Sequence, residues 1–394
     1  MMEYKKLRDI STFIRTGKTP PTKESKYFEG EENWYTPGDL DLGKTLNVSR
    51  RKIAQIAFDE KKAVKFPKNT LLVGCIGDIG KIGITTGNCS SNQQLTGVYP
   101  NESTDVNYLY YWFKLKKRYL GSIANNSVVP ILNNSQLEVI LIPLPPLEQQ
   151  KKIASILDAA DTYRQKTKAL IAKYDELTQS LFLDMFGDPV KNEKGWEMVE
   201  LKKLTTKIGS GSTPRGGKET YHKEGISLIR SMNVYDNSFK YKNLAFINDE
   251  QAAKLKNVTV EENDVLFNIT GASVCRCSVV PKNVLPARVN QHVSIIRTIK
   301  NRLNPLFLSS LLISENIKTE LLEVGGGGGA VMEAITKVQL EKYQIAVPPV
   351  VIQNKFVDRL IIIEQQKASA QVSFEKAEEL FNSLLQKAFK GELV

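Results

Sequence analysis

The sequence is poor in the residues that metal and imidazole chemistry require. Its 394 residues include two histidines, His222 and His292, and four cysteines. The cysteines are too few and too unevenly spaced for a disulfide framework in so long a chain, so we expect reduced thiols. Cys275 and Cys277 have no further cysteine pair or neighbouring histidine to complete four zinc ligands. The composition therefore predicts neither a metal site nor a histidine triad.

A long hydrophobic run is also missing. No segment reaches the ~18 consecutive apolar residues that a membrane-spanning helix needs. The first ten residues, MMEYKKLRDI, lack the apolar region of a secretory signal. With 41% hydrophobic and 25% charged residues, the composition is that of an ordinary folded protein. We expect a cytoplasmic protein that does not enter a membrane.

The motifs of common enzymes are absent as well. The chain has no GxxxxGK[ST] phosphate-binding loop and no Asn-Pro-Pro-Tyr motif of the amino-methyltransferase type. Carboxylates such as Asp39, Asp41 and Asp78 have no spacing that favours a nuclease site. The sequence therefore predicts no catalytic residue and no cofactor held by this chain.

What the chain does have is an uneven distribution of its net charge of +11. Residues 1–146 carry 20 basic and 14 acidic side chains, and residues 195–348 carry 20 and 15. The segments 147–194 and 349–394 are neutral. An anionic partner such as nucleic acid would therefore be met by the two long segments.

The two basic segments are copies of one unit. Matching segments recur in the same order, and their offset grows from 194 to 203 residues. They are TGKTP (Thr16–Pro20) with SGSTP (Ser210–Pro214), Trp34–Leu40 with Leu228–Val234, Leu71–Gly80 with Val265–Val274, Asn92-Gln93-Gln94 with Asn290-Gln291-His292, and Gln136–Ile153 with Gln339–Phe356. Because the order is kept and insertions in surface loops explain the drift, the chain is one unit of about 195 residues written twice.

Each copy is predicted to be a mixed α/β segment followed by a long helix. Thr70–Ile76 and Asp264–Thr270 have the composition of strands, and Tyr108–Leu120 and Pro305–Leu322 have the periodicity of helices. Prolines then begin a helix of about 40 residues in each copy. This predicts mixed α/β domains at residues 1–146 and 191–348, with long helices at residues 147–190 and 349–394.

Both long helices carry apolar residues spaced by three and four. The predicted seams are Ile153, Ile156, Ala160, Tyr163, Thr167, Leu170, Tyr174, Leu177, Leu181 and Asp184 in the first helix, and Phe356, Leu360, Ile363, Lys367, Ala370, Phe374, Ala377, Phe381, Leu384 and Ala388 in the second. A period sustained over more than five heptads is typical of a coiled coil. Each helix could instead pack on its own domain, but two seams that each need a partner of equal length favour mutual pairing.

The junctions and the repeat resemble the specificity subunit of type I restriction-modification systems. The residues that carry the resemblance are IPLPPLEQQKKIASILD (Ile142–Asp158), LTQSLFLDMFGDPVKNEKGWEMVEL (Leu177–Leu201) and the weaker second copy VPPVVIQNKFVDRL (Val347–Leu360). In the second copy Val350 replaces leucine, and Val351-Ile352 replace the usual Glu-Gln. The TGKTP and SGSTP loops match a Gly-x-Thr-Pro turn that is frequent in this family. The similarity extends over nearly the whole chain.

The resemblance implies an α+β fold with internal pseudo-two-fold symmetry, in which an antiparallel pair of long helices separates two target-recognition domains. It also implies a non-catalytic DNA-binding subunit that reads a bipartite, asymmetric target in double-stranded DNA. The partners would be two methyltransferase subunits, which use S-adenosylmethionine, and restriction subunits driven by ATP. Helices of about 60 Å would also act as a ruler, limiting the separation of the half-sites to about 18 base pairs.

Base contacts are expected from loops that correspond between the copies and carry polar or basic residues. These are Lys18, Thr19 and Lys23 with Arg215 and Lys218; Thr36 and Asp39 with Arg230 and Asn233; and Lys81 with Arg276. Arg230 and Asn233 are preferred, because arginine suits guanine and asparagine suits adenine. The basic runs at residues 50–52 and 114–118 would contact phosphates or simply be solvated.

Two other functions fit the sequence. The same architecture could serve as the recognition partner of a fused methylase-nuclease, which copurification with one partner type rather than two would reveal. The chain could also be a coiled-coil scaffold without a DNA role, in which case salt-dependent DNA binding would be absent.

Overall fold

The computed structural model describes residues 3–125, 128–214, 216–326 and 334–393, apart from the side chains of Leu42 and Lys218. The chain forms two compact units. Unit 1 comprises Met1–Ala169 and Gln371–Val394, and unit 2 comprises Leu170–Ala370. Each unit therefore contains one mixed α/β region and parts of both long helices.

The described residues of unit 1 form three sheets. Its strands are β1 (Tyr4–Lys6), β2 (Ser11–Thr16), β3 (Glu32–Tyr35), β4 (Thr45–Leu46), β5 (Arg51–Ile53), β6 (Leu71–Gly74), β7 (Ile82–Thr85), β8 (Cys89–Ser91), β9 (Leu95–Pro100) and β10 (Leu141–Pro143). The sheet orders are β2-β9-β6-β7-β4, β5-β3-β8 and β1-β10. The β4–β7 and β3–β8 pairs are parallel, whereas the other strand pairs are antiparallel. The helices are α1 (Gln55–Asp59), α2 (Val106–Leu115), α3 (Lys117–Ile123), α4 (Asn134–Glu138) and the first part of α5 (Leu147–Phe186).

Unit 2 follows a similar order of elements, with further short strands among its described residues. Its strands are β11 (Glu197–Glu200), β12 (Thr205–Ser210), β13 (Ile226–Ile229), β14 (Val234–Tyr235), β15 (Ser238–Phe239), β16 (Ala245–Ile247), β17 (Thr259–Val260), β18 (Val265–Asn268), β19 (Cys277–Val279), β20 (Ala287–Val289), β21 (Val293–Thr298) and β22 (Gln344–Val347). The sheet orders are β12-β21-β18-β19, β16-β13-β20-β17, β14-β15 and β11-β22. The helices are α6 (Asp249–Lys254), α7 (Pro305–Leu312), α8 (Glu315–Gly326), α9 (Lys337–Lys342) and α10 (Val350–Lys390), whose last part belongs to unit 1.

The helices predicted at Tyr108–Leu120 and Pro305–Leu322 are each broken in two. The first stops after Leu115, and the second stops after Leu312. In the second case the hydroxyl of Ser314 donates to the carbonyl of Leu311 (2.7 Å) and so takes up a backbone group that a continuing helix would use.

Corresponding hydrogen bonds tie the start of each long helix to its own unit. The side-chain oxygen of Gln150 accepts from the Asp105 amide (2.9 Å), and its amide group donates to the carbonyls of Ser103 (3.0 Å) and Pro145 (2.8 Å). Gln353 makes the same three bonds, to the Asn304 amide (2.8 Å) and the carbonyls of Arg302 (3.1 Å) and Pro348 (2.8 Å). Both glutamines are fully buried. The Pro-Pro junction and its buried glutamine therefore have the same structural role in both units.

Within each unit the two long helices run antiparallel. In unit 1 the start of α5, with Ile153 and Leu157, shares a core with Leu385 and Phe389 at the end of α10. In unit 2 the order is reversed, and Phe182 and Phe186 near the end of α5 pack with Phe356 near the start of α10.

Ion pairs at corresponding positions link the two helices. Arg164 pairs with Glu378 (3.2 Å) in unit 1, and Lys367 pairs with Asp175 (2.5 Å) in unit 2. The fold is therefore the α+β arrangement of two similar mixed domains and two antiparallel helices that the sequence predicts.

The predicted seam is confirmed on α10 and only partly on α5. All ten predicted positions of α10 are buried or half-buried. On α5 four of the ten, Tyr163, Leu170, Leu177 and Asp184, are exposed. Arg164, Ile171, Thr178 and Phe182 are less exposed than these. Polar residues occupy part of this helix's inner face, so apolar spacing alone predicted the wrong face there.

Candidate nucleic-acid interface

The Gly-x-Thr-Pro loop of unit 1 is held against the Asn92-Gln93-Gln94 loop. The amides of Gly17 and Lys18 donate to the carbonyls of Leu95 (2.8 Å) and Ser91 (2.9 Å), and the Thr19 hydroxyl donates to Oε1 of Gln93. A Cβ atom at residue 17 would lie 2.1 Å from the Ser91 hydroxyl and 2.4 Å from the Asn92 carbonyl oxygen. Glycine is therefore needed here because the two loops approach so closely.

Unit 2 holds its corresponding loop in the same way. The Gly211 amide donates to the Asn290 carbonyl (3.1 Å), and the Thr213 hydroxyl donates to Oε1 of Gln291. Here a Cβ atom at residue 211 would lie 1.8 Å from the Val289 carbonyl oxygen. The threonine and glutamine thus have the same role in both copies.

A short turn after the third strand of each copy brings the next predicted residues beside these loops. In unit 1 the Asn92 amide donates to the Tyr35 carbonyl (3.1 Å), immediately before Thr36. In unit 2 the Asn290 amide donates to the Ile229 carbonyl (3.1 Å), immediately before Arg230. The structure therefore gathers Thr19, Thr36 and their counterparts into one loop cluster in each unit.

Asp39 and Asn233 have internal roles in these turns. Asp39 is 1% exposed, and its carboxylate accepts from the amide and hydroxyl of Thr36 (both 2.8 Å) and from the Arg50 amide (3.0 Å). Asn233 is fully buried, accepts from the Arg230 amide (3.1 Å) and donates to the Lys240 carbonyl (2.8 Å). Both side chains stabilise the turn. That either contacts a base stays a prediction.

Lys81 and Arg276 occupy corresponding positions with different neighbours. Lys81 pairs with Asp41 (2.8 Å) and Asp78 (3.3 Å), and the hydrogen bond to Asp41 raises the pKa of its ammonium group. The Arg276 guanidinium lies 4.4 Å from the centre of the Tyr235 ring, and the Lys240 ammonium lies 3.6 Å from it. The hydrogen bond from Lys240 lowers the pKa of Tyr235. Unit 2 thus presents two cations and an aromatic ring where unit 1 presents a lysine paired with two carboxylates.

Arg230 is partly held in place by its own unit. It donates to the carbonyl of Asn243, and its guanidinium lies 5.3 Å from the centre of the Tyr221 ring. Its Nε is buried and has no hydrogen-bond partner among the described residues. These contacts hold Arg230 in the loop cluster while its buried Nε donor stays unsatisfied.

The remaining predicted residues lie in or beside the Gly-x-Thr-Pro loops. Lys18 and Lys23 are exposed, and the Lys18 ammonium donates to the Lys61 carbonyl (2.9 Å). Arg215 lies outside the described residues. The backbone of Lys218 belongs to a short helix, Gly217–Thr220, but its side chain is not described.

The basic runs agree with the expectation only in part: Arg50, Arg51, Lys117 and Arg118 are exposed, as solvated or phosphate-binding residues would be, whereas Lys114 is covered. Lys114 is half-buried, lies 5.0 Å from the Phe381 ring centre, and has a pKa lowered by burial. Arg51 lies over the rings of Phe28 (4.7 Å) and Trp34 (5.0 Å). The prediction is wrong for Lys114, because the ring of α10 that covers it is more than 250 residues away in the sequence.

All four cysteines are buried. Burial raises the pKa of Cys75 to about 11 and that of Cys89 to about 12. Within the described ranges, no three His, Cys, Asp or Glu side chains come together in a way that could hold a metal ion. The same part of the chain has no helix long and apolar enough to cross a bilayer.

Sequence reasoning missed several residues of the loop clusters. Gln93 and Gln291 anchor the loops, and His292 contacts both the Thr270 hydroxyl (2.6 Å) and the Gln291 amide (3.1 Å). Tyr235 and Lys240 complete the cation cluster around Arg276. The repeat alignment had paired Asn92-Gln93-Gln94 with Asn290-Gln291-His292, so the glutamines could have been found there. Tyr235 and Lys240 have no such signal.

Comparisons with known proteins agree with this arrangement. A family model described as the type I restriction modification DNA specificity domain matches residues 1–174 and 193–371. The chain therefore belongs to this family of DNA specificity proteins. It is the DNA sequence-recognition subunit of a type I restriction-modification system, and the match does not favour a fused methylase-nuclease partner or a scaffold without a DNA role.

Relatives align with most or all of the chain. The MjaIX specificity subunit of Methanocaldococcus jannaschii is 27% identical over 412 residues, covering 99% of this chain and 93% of its own length. The EcoBI specificity subunit of Escherichia coli is 26% identical, covering 82% and 73%.

Solved structures share the fold. The S subunit from M. genitalium has a TM-score of 0.62 at 14% identity and covers 99% of this chain and 96% of its own. A chain from a structural study of type I complex assembly has a TM-score of 0.59 at 18% identity, covering 99% and 98%.

Proposed function

We propose that each loop cluster reads one half of a bipartite, asymmetric target in double-stranded DNA. The observation that carries the proposal is that both units fix the same loops with the same threonine–glutamine and asparagine hydrogen bonds. The side chains presented around these bonds differ, as at Lys81 and Arg276. A shared scaffold with different polar groups suits the recognition of two different half-sites.

Reciprocal substitutions test this proposal. The chain is expressed with its methyltransferase partner, and methylated sites are found by single-molecule sequencing of the host DNA. Arg276→Ala should relax one position in one half of the methylated sequence, and Lys81→Ala should affect the other half alone. Each lost base contact should reduce discrimination by about 1–3 kcal/mol.

The exposed, ion-paired Lys254 provides a control. Lys254→Ala should leave the methylated sequence unchanged. If Arg276→Ala lowers methylation uniformly at all sequences, Arg276 contacts phosphate instead. If both substitutions alter the same half, the assignment of one half-site to each unit is wrong.

The chain would position other subunits and perform no catalysis itself. Two methyltransferase subunits would bind S-adenosylmethionine, and restriction subunits would use ATP. Exposed apolar side chains on the long helices support the expectation that protein partners bind there. They are Tyr163, Val372 and Leu380 in unit 1, and Leu170, Leu177, Leu183, Val351, Ile361 and Ile362 in unit 2. Because each unit carries such a surface, two methyltransferase subunits are expected.

Introducing a charged residue on this surface tests whether the methyltransferase binds there. Leu177→Glu, at a residue 48% exposed, should weaken copurification of the methyltransferase while leaving the fold intact. Lys173→Ala, at an exposed neighbour on α5, is the control. Undiminished copurification with Leu177→Glu would place the partner elsewhere.

A further inference from the structure

Unit 2 contains a pocket of 520 Å³ next to the turn between β14 and β15. The end of α5 forms one wall, with Thr178 and Phe182. Helices α7 and α8 form another, with Ser310, Ile313 and Leu322. Asp236 and Asn237, at the turn between β14 and β15, close one side. A volume of about 300–1,000 Å³ is typical of small-molecule sites.

Two hydroxyl groups in this pocket are buried and unsatisfied. Ser310 is 7% exposed, and neither its hydroxyl nor that of Thr178 has a hydrogen-bond partner among the described residues. A buried hydroxyl without a hydrogen-bond partner is destabilising, because it has lost its bond to water. The pocket therefore combines apolar walls with two polar groups that a bound molecule could satisfy.

The other copy of the repeat shows which side chains occupy the corresponding space in unit 1. The matching glutamines Gln150 and Gln353 align the long helices, and the amides they bind, at Asp105 and Asn304, align α2 with α7. In this alignment Ser310 corresponds to Tyr111, and Thr178 corresponds to Phe381.

Ring contacts confirm the alignment. The Tyr108–Phe389 pair in unit 1 (5.0 Å between ring centres) corresponds to the Phe307–Phe186 pair in unit 2 (4.8 Å). Tyr111 and Phe381 are themselves 6.1 Å apart. Unit 2 thus lacks two aromatic rings that fill the corresponding space in unit 1.

We propose that the pocket of unit 2 binds a small, neutral aromatic molecule that carries a hydroxyl or a similar hydrogen-bonding group. The ring would take the place of the missing Tyr111 and Phe381 rings, and its polar group would bond the Ser310 and Thr178 hydroxyls. The neighbouring cation, Lys318, is already paired with Asp236, so it does not call for an anionic ligand. A partner that binds both units alike would meet a filled space in unit 1, which favours a small molecule.

Binding of p-cresol and toluene to the full chain tests the proposal. The two probes have similar shapes, but p-cresol carries the hydroxyl of a tyrosine side chain. Titration calorimetry should show saturable binding of p-cresol at millimolar concentration and weaker binding of toluene. Ser310→Ala should reduce p-cresol affinity about three- to tenfold and leave toluene affinity nearly unchanged, because one hydrogen bond is lost. Ser122→Ala, the same change at an exposed helix residue of unit 1, should alter neither affinity.

Filling the pocket supplies the second test. Thr178→Phe introduces the residue of unit 1 and should abolish binding of both probes. Thr178→Val, which keeps the shape and removes the hydroxyl, covers the case in which the larger residue impairs folding, and it should weaken p-cresol alone. Absence of saturable p-cresol binding to the unaltered chain would overturn the proposal, as would p-cresol affinity that Ser310→Ala and both Thr178 variants leave unchanged.

Discussion

Replacing the buried glutamines at the two junctions should destabilise the two units separately and to a similar degree. Gln150→Ala removes three hydrogen bonds of 2.8–3.0 Å and leaves the Asp105 amide and the Pro145 carbonyl without that partner. A lost bond costs about 0.5–1.5 kcal/mol, and a buried group left unpaired costs about 1–3 kcal/mol, so we expect a loss of about 3–5 kcal/mol. Gln353→Ala should cost about the same, because it removes the same three bonds in unit 2.

Urea unfolding gives the free energy of each variant, and amide hydrogen exchange shows which unit is affected. With Gln150→Ala, exchange should rise around α2 and the start of α5. With Gln353→Ala it should rise around α7 and the start of α10. Glu148→Ala is the control, because this residue is highly exposed and its ion pair is with exposed Lys151, so its effect should stay within about 0.5 kcal/mol. A cost for Gln150→Ala no larger than that of the control would refute the structural role of the junction.

Three further predictions concern other parts of the molecule. Charge reversal at the helix pair of unit 1, with Arg164→Glu and Glu378→Arg made singly and together, should show a coupling of about 0.2–1 kcal/mol in a double-mutant cycle of urea unfolding; no coupling would mean that the pair contributes nothing. The Tyr27 hydroxyl donates to Glu60 (2.6 Å) and lowers the pKa of that carboxyl, so the stability it contributes is present above the ordinary glutamate pKa and is lost as the pH falls through the lowered value. Tyr27→Phe should therefore raise the Glu60 pKa in a carbon-13 NMR titration, whereas an unchanged value would show that the hydrogen bond has no such effect. Removing one heptad from both long helices, about 10.5 Å, should shorten the spacer of the methylated target by up to about three base pairs, and an unchanged spacer in methylation sequencing would exclude the ruler.

The predictions that succeeded depend on patterns within short segments. The repeat, the Pro-Pro junctions and the long helices were all visible as local matches or periodicity. The seam of α10 was predicted at every position because its inner face is largely apolar. On α5 the inner face includes Arg164 and Thr178, so exposed Tyr163, Leu170 and Leu177 appeared to be the seam instead.

The candidate site was less predictable. Matching loops pointed to Thr19, Thr36 and Arg230, and the structure brings those of each unit together. In the structure Asp39 and Asn233 are buried and stabilise a turn, which their residue types did not reveal. Tyr235 and Lys240 were missed because their importance comes from proximity to Arg276, which lies on a different strand connection.

The sequence by itself determined the duplication, the positions of the two long helices and the family to which the chain belongs. Each of these depends on patterns among residues that are close together in the chain. Tertiary structure alone decided which polar side chains of the loop clusters stay exposed and which are used internally. Thr19 bonds a glutamine 74 residues away, and Tyr111 and Phe381 fill a space that Ser310 and Thr178 leave open in the other unit. Such partners become neighbours only through folding, so no local pattern could show them.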